Sequence, residues 1–126
     1  MVQKLNAAEA LKYSFDTGDR APFEALLAPE CVNWHNHDKL EQPAVGNPGA
    51  AALRTIVDDL RADIVQHETF PSGDMIRLVI RGTVRSSGHE LEAHQCIVLH
   101  NGEGGIVRIE DYVDPTLGSQ LGFPMG

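Results

Sequence analysis

Long apolar segments, paired cysteines and clusters of basic residues are all absent from this sequence of 126 residues. No run approaches the ~18 apolar residues that a membrane-spanning helix needs, and the N-terminus lacks the apolar stretch of a signal peptide, which predicts a cytoplasmic protein with no membrane partner. The ten Lys and Arg are scattered and the formal net charge is −8, so nucleic acid is not an expected partner either. Cys31 and Cys96 are far apart and are predicted to be buried thiols, not a disulfide.

The composition that is present is that of an ordinary globular protein, with 42% hydrophobic and 22% charged residues. This balance argues against disorder, and the length is sufficient for one domain to bury a substantial core. We therefore predict a single domain that covers residues 1–126.

The N-terminal segment carries the signals of two helices. The first is predicted over the first fifteen residues, with Asn6 and Glu9 as a capping box and Gly18 as the left-handed residue that ends it. Asp19 is expected to cap a second, shorter helix that Pro29 closes.

The middle of the chain is predicted to form a strand, a loop and a third helix. Residues 31–36 alternate and contain Val32 and Trp34, which favours a short strand. Residues 38–48 contain two prolines and a glycine and are predicted to be loop. The third helix is predicted over residues 50–62 because apolar residues recur there at helical spacing: Leu53, Ile56, Val57 and Leu60.

From residue 63 onward the pattern changes to strands. Segments rich in β-branched residues alternate with turn sequences and predict an antiparallel meander of four strands: residues 63–70, 75–84, 89–100 and 105–113. The tail after Pro115 is rich in Gly and Pro and is expected to lie along the surface. Helices gathered at one end of the sequence and an antiparallel sheet at the other indicate an α+β fold.

Two segments resemble parts of a known family. The stretch DTGDRAPFEALLAPECVNWHN resembles a helix exit followed by a strand that ends in Trp-His-Asn, and GGIVRIEDYVDP resembles a final strand that ends in an aromatic-x-Asp. On these motifs the chain, over residues 4–116, resembles the SnoaL-like branch of the nuclear-transport-factor-2-like superfamily, which includes ketosteroid isomerases, polyketide cyclases and limonene epoxide hydrolases. The resemblance implies a cone-shaped roll: three helices from the N-terminal half pack on a curved, mainly antiparallel sheet around a small-molecule pocket.

Strand alternation predicts which side chains share that pocket. His35 falls where the ketosteroid isomerases of the superfamily carry a carboxylate base, and Asn33 shares its face. A histidine suits that role because its unperturbed pKa lies near working pH. Asp111 has apolar neighbours on its strand face and matches the final-strand acid of the epoxide hydrolases. The alternatives are a surface histidine at a strand end and an exposed or ion-paired carboxylate.

Three further residues are assigned to the pocket with alternatives left open. His94 either faces the cavity or is a partly buried structural histidine, and Cys96 lies near the isomerases' second acid, whose work a thiol cannot do. Arg81 is predicted to steady developing negative charge, although Arg77 shares its face and the register leaves open which of them enters the cavity. Epoxide hydrolases need an arginine flanked by two acids, and the sequence predicts no acids beside Arg81, which argues against that activity.

A metal site is the competing interpretation of the first strand. His35, His37 and Glu41 have the H-x-H-x3-E spacing of the first cupin metal box, and alternating histidines on one strand can hold a metal. However, Pro29 stands where that box expects glycine, no second box follows, and three helices do not belong in a cupin barrel. We therefore predict no metal and no other cofactor.

The combined prediction is a cofactor-independent lyase, isomerase or cyclase that acts on a hydrophobic small molecule bearing a carbonyl or hydroxyl group. His35 is assigned as the base and Asp111 as the acid or its orienting partner, while Asn33 and His94 position a substrate oxygen. The substrate body is expected to contact a mainly apolar lining: Leu11, Phe15, Leu53, Ile56, Cys96, Val98 and Ile109. The alternatives are a non-catalytic binding or assembly module, pairing as a homodimer through the open sheet face, and an epoxide hydrolase-like enzyme.

Overall fold

Six strands and four helices are present in the part of the chain that the computed structural model describes, residues 5–36 and 38–123. In chain order they are α1 (Ala7–Thr17), α2 (Ala21–Glu24), β1 (Leu27–His35), β2 (Glu41–Pro43), α3 (Ala50–Leu53), β3 (Val57–Phe70), β4 (Gly73–Val84), β5 (Glu90–Gly102), β6 (Gly105–Val113) and α4 (Leu117–Gln120). They form one curved sheet of order β2-β1-β6-β5-β4-β3, antiparallel at every step except β1 with β6. The predicted α+β roll is confirmed. Within the described residues, no helix is long and apolar enough to cross a membrane.

Helix α1 spans Ala7–Thr17, and not the first fifteen residues, but its two caps are those that the sequence predicts. The Asn6 side chain accepts a hydrogen bond from the Glu9 amide at 2.8 Å, and the Glu9 carboxylate accepts one from the Asn6 amide at 2.9 Å. Gly18 then takes up φ 83°, a left-handed conformation that only glycine adopts without strain. The buried face of the helix, which includes Leu11 and Phe15, packs on the sheet, and burial of each such side chain contributes about 1.5–3 kcal/mol.

The third predicted helix is wrong over most of its length. Helix α3 is a single turn, and β3 already begins at Val57 and pairs with β4. Val57 and Leu60 are both buried, although they are three residues apart, because a β-bulge with Asp59 at φ 54° lies between them. The bulge resets the strand's alternation, and the resulting spacing of three imitates the period of a helix.

Strand β1 also differs from the prediction, since it begins at Leu27 and contains Pro29. The pairing of β1 with β6 is irregular between Leu27 and Val32, and such an irregularity tolerates a proline because no ladder hydrogen bond is lost. The predicted loop at 38–48 contains the short strand β2, which pairs with β1. The tail forms the short helix α4 and buries Leu121.

The two faces of the sheet differ in chemistry. On β4, Ile76, Leu78 and Ile80 point inward and are at most 2% exposed, whereas Arg77 and Arg81 point outward. Both cysteines are free thiols, as predicted, but only Cys31 is fully buried in the core, whereas Cys96 is half-buried on the outer face. Burial raises the pKa of each thiol. The inner face, together with the helices that cover it, encloses the site described next.

Candidate functional site

A cavity of about 100 Å³ lies between α1, α2 and the inner face of β1, β5 and β6. Its apolar wall is formed by Leu11, Phe15, Phe23, Ala50, Ile97 and Ile109. Its polar wall is formed by Ser14, Arg20, Asn33, His35, Gln95 and Asp111, beside Asn47. Since a cavity of about 150 Å³ holds a benzene molecule, this space suits a few waters or a small organic molecule.

A histidine and a carboxylate meet inside this cavity. His35 and Asp111 are register partners on the parallel strands β1 and β6, so their side chains project side by side. Nε2 of His35 lies 3.5 Å from Oδ2 of Asp111, and the two side chains are 22% and 14% exposed. An imidazole and a carboxylate are the side chains that most often transfer protons in enzymes, and here the two face each other in the cavity.

Gln95 fixes the orientation of that carboxylate. Its Nε2 donates a hydrogen bond to Oδ1 of Asp111. An ionised carboxylate only accepts hydrogen bonds, so the NH₂ group of Gln95 must face it and Oε1 must point elsewhere. Oε1 of Gln95 and Oδ1 of Asn33 are both buried, and neither accepts a hydrogen bond from the described residues. An unsatisfied buried acceptor costs about 1–3 kcal/mol, so both oxygens mark places where a ligand or water can donate.

Arg20 supplies the positive charge of the cavity, with a side chain only 15% exposed. Its Nη1 donates to Glu24 Oε1 at 3.1 Å and to the carbonyl oxygens of Ala44 at 2.8 Å and Asn47 at 2.6 Å. The guanidinium also lies 5.6 Å from the ring centroid of Phe23. Burial lowers the pKa of Arg20 and the Glu24 carboxylate opposes that effect. Arg20 thus holds the 44–47 segment against α2 at the cavity wall.

The predicted residues of β5 lie on the other side of the sheet. Alternation along β5 is as expected, but Gln95 and Ile97 are the inward residues, so His94, Cys96 and Val98 face outward. The His94 side chain is 64% exposed. The predicted placement of these three residues in the cavity is therefore wrong. Alternation identifies two faces of a strand and cannot say which of them is inner when both carry polar and apolar residues.

Arg81 also lies outside the cavity. On the outer face, Nε of Arg81 is 2.9 Å from Asp63 Oδ2 and Nη1 is 2.9 Å from Glu92 Oε1. The expectation that no acid accompanies Arg81 is thus wrong, because an acid-arginine-acid array exists, but it is exposed to solvent on the face opposite His35 and Asp111. Arg77 is exposed as well and donates to Gln66, so neither arginine of β4 enters the cavity.

The predicted apolar lining divides into two groups. Leu11, Phe15 and Ile109 line the cavity. Leu53 and Ile56 pack against the core without lining it, and Ile56 borders a separate depression beside α4. Their assignment to the lining depends on a long third helix, which the structure replaces with a single turn.

The metal-box spacing is not assembled in the described residues. His37 lies outside them, and Glu41 is the register partner of Trp34, so Glu41 and His35 occupy opposite faces of the sheet. Glu41 instead forms an ion pair with Arg108. Over residues 5–36 and 38–123, no three His, Cys, Asp or Glu side chains are grouped to hold a metal ion.

Comparison with known proteins identifies the fold. No protein-family model and no curated protein sequence matches the chain. An NTF2-like protein from Burkholderia thailandensis superimposes with a TM-score of 0.73 over 88% of this chain and 90% of the other, at 19% identity. IdmH from Streptomyces antibioticus, a candidate polyketide cyclase, gives 0.72 over 90% and 94%, at 22% identity. A ketosteroid isomerase-like fold from Catenulispora acidiphila, in complex with trimethylamine, gives 0.69 over 92% of both chains, at 11% identity.

This chain has the nuclear-transport-factor-2-like fold. The resemblance inferred from residues 16–36 and 104–115 is therefore confirmed at the level of the fold. NTF2-like proteins share an architecture and not one reaction, so identities this low say nothing of the chemistry. Within the NTF2-like cone, sequence analysis singled out His35, Asp111 and Asn33 but missed Arg20 and Gln95. A lone arginine before a helix is usually exposed, and alternation puts Gln95 on the face opposite the predicted pocket.

Proposed function

We propose that this protein is a small-molecule lyase, isomerase or cyclase that uses general acid-base catalysis at His35 and Asp111 and needs no cofactor. The observation that carries the proposal is the distance of 3.5 Å between His35 Nε2 and Asp111 Oδ2 in the cavity beneath α1 and α2. A compatible fold is all that the comparisons add, through neighbours such as the candidate polyketide cyclase IdmH.

The proposed reaction follows from the surroundings of the pair. His35 takes a proton from a carbon beside a carbonyl group, and Asp111 orients the imidazole and stabilises the imidazolium that forms. His35 then returns the proton to another atom of the same molecule, which moves a double bond or opens or closes a ring. The hydrogen bond from Gln95 keeps the Asp111 carboxylate in one orientation throughout. Positioned acid-base groups of this kind contribute about 10²–10⁴-fold in rate.

The size of the cavity favours a second candidate, the non-catalytic binding of a small ligand. At about 100 Å³ the cavity is well below the ~300–1,000 Å³ of pockets that hold drug-sized molecules. The neighbour from C. acidiphila is a complex with a molecule as small as trimethylamine. In this alternative His35 and Asp111 are polar contacts for the ligand and no covalent bond changes.

Exchange of hydrogen for deuterium separates the two candidates. Small ketones such as acetone, butanone and cyclopentanone are incubated in D₂O with the protein, and proton NMR follows the loss of the signals beside the carbonyl. We expect the wild type to accelerate the loss, and His35→Ala and Asp111→Asn to slow it by about 10²–10⁴-fold. His94→Ala is the matched control, since this histidine lies on the outer face, and it should retain the full rate.

Two results would contradict the proposal. If the wild type binds these ketones, seen as shifts of protein signals, and yet exchanges none of their protons, the binding module replaces the enzyme. If His94→Ala slows exchange as much as His35→Ala does, the reaction does not take place in the cavity.

A further inference from the structure

Among the described residues, all the hydrogen-bond partners of Arg20 contact one of its three nitrogens. With the described residues, its hydrogen bonds to Glu24, Ala44 and Asn47 all come from Nη1. Nε and Nη2, which carry three N–H groups between them, make none with that part of the chain. Those two nitrogens form the side-on edge of the guanidinium that binds a carboxylate through two parallel hydrogen bonds.

Glu24 balances the charge of Arg20, but it does so through a single oxygen atom. Glu24 is the one carboxylate that contacts it among the described residues, and the same Oε1 also accepts a hydrogen bond from the Gly46 amide at 2.8 Å. The other two acceptors are neutral carbonyl oxygens. A guanidinium whose side chain is 15% exposed, and whose Nε and Nη2 have no acceptor among the described residues, offers N–H groups that a ligand carboxylate would satisfy.

Arg20 and the His35–Asp111 pair lie beside different residues of strand β1, and so at different positions along the cavity. Nη1 of Arg20 donates to the carbonyl oxygen of Ala44, whose amide donates to the Cys31 carbonyl oxygen at 2.9 Å. Cys31, Asn33 and His35 follow one another on the inner face of β1. Four residues of a strand span about 13 Å, so the Arg20 end and the His35 end lie several bond lengths apart. Asn33, with its unsatisfied Oδ1, lies between them.

We propose that Arg20 anchors a carboxylate of the ligand through Nε and Nη2, so that the cavity takes a small organic anion. The proposal rests on the proposed function and deepens it, because it names the substrate class: a carboxylic acid whose reacting carbon lies several bonds from the carboxylate. Arg20 holds the charged end, and Asn33 Oδ1 accepts from a hydroxyl group if the molecule carries one. The net charge of −8 disfavours anions at long range, so binding of an anion depends on the short-range hydrogen bonds that Nε and Nη2 of Arg20 donate.

A matched set of ligands tests the charge preference directly. Butyrate, 1-butanol and butylammonium have similar chains and differ in charge, and their binding is measured by isothermal titration calorimetry and by NMR shifts. We expect the wild type to bind butyrate about 10- to 100-fold more tightly than 1-butanol, the range that hydrogen bonds to a charged group give, and butylammonium most weakly. Arg20→Gln should remove this preference by weakening butyrate alone.

The matched control is Glu24→Gln, because Arg20 also has a structural role. The amide oxygen that replaces the carboxylate oxygen would still accept from Arg20 and Gly46, but the variant removes the compensating charge. Its affinity for butyrate should therefore rise if the Arg20 charge binds the anion. Thermal unfolding of each variant measures the loss of stability separately. If Arg20→Gln and Glu24→Gln weaken all three ligands equally, Arg20 is only a clamp for the 44–47 segment and the proposal is overturned.

The outcomes separate this inference from the proposed reaction. If His35→Ala slows ketone exchange but the wild type binds butyrate no more tightly than 1-butanol, the anion site alone is overturned. If Arg20→Gln weakens butyrate binding but the wild type exchanges no ketone protons, the anion site is supported and the proposed reaction is overturned. Preference for butylammonium overturns the anion site and assigns the cavity to cations.

Discussion

The inner and outer faces of this sheet carry similar residues under different conditions. Inside, Arg20 and Asp111 have side chains only 15% and 14% exposed. Outside, Arg81 is 36% exposed, and its partners Asp63 and Glu92 are 54% and 57% exposed. Water screens the outer charges, so these exposed ion pairs add little stability, whereas the inner groups must be satisfied by the protein or by a ligand. The outer array resembles the acid-arginine-acid arrangement of the epoxide hydrolases, but it is exposed to water. The inner groups are shielded from water, which strengthens electrostatic interactions.

The largest expected difference between the faces is in stability, and the neighbours Ile97 and Val98 measure it. Ile97 is 4% exposed on the inner face, and Val98 is half-buried on the outer face. Ile97→Ala should lower the free energy of unfolding by about 2–5 kcal/mol, because it removes core contacts and leaves space that the core cannot fill. Val98→Ala should lower it by less than about 1 kcal/mol. Urea denaturation compares them, and equal losses would mean that the faces are packed alike.

A smaller effect is expected from an outer-face carboxylate as the pH falls. A hydrogen bond with His100 at 2.9 Å, helped by Arg108, lowers the pKa of Glu110, while partial burial opposes the shift. A carboxyl whose pKa is lowered on folding adds stability above its unfolded pKa of about 4.3, and this stability is lost as the pH falls through the lower folded pKa. Glu110→Gln should therefore cost up to about 1 kcal/mol at neutral pH and progressively less below about pH 4.

Urea midpoints between pH 7 and pH 3 test the Glu110 prediction. Glu103→Gln is the matched control, since Glu103 is an exposed carboxylate in the turn between β5 and β6. A stability difference between wild type and Glu110→Gln that stays constant down to pH 3 would show that the Glu110 charge contributes nothing.

The comparison of the faces also explains what the sequence could predict. The sequence could place His35 and Asp111 in the cavity because strand alternation and the family resemblance assign each of them to the same face. The choice of face on β5 failed because Glu92, His94 and Gln95 make both faces partly polar. Nothing local distinguishes them: β5 is central, and only the packing of the helices against the sheet decides which face is inner.

Other features depend on contacts that are distant in sequence. The bulge at Asp59 gives Val57 and Leu60 a helical spacing, and the pairing of β3 with β4 overrides it. Arg20 enters the site because it contacts Ala44 and Asn47, which are 24 and 27 residues further along the chain. Such contacts follow from the tertiary structure and leave no periodic signal in the sequence.

The smallest effect on stability and on ketone exchange is expected at the outer acid-arginine-acid array. Arg81→Gln removes the centre of the outer acid-arginine-acid array, and it should leave the free energy of unfolding almost unchanged because all three side chains are solvated. Ketone exchange should keep its wild-type rate, since the array lies on the face opposite the cavity. Arg77→Gln is the matched control, as this arginine lies on the same face with a single hydrogen bond to Gln66. If Arg81→Gln abolishes exchange and Arg77→Gln does not, the outer array takes part in the chemistry and the inner cavity is not the active site.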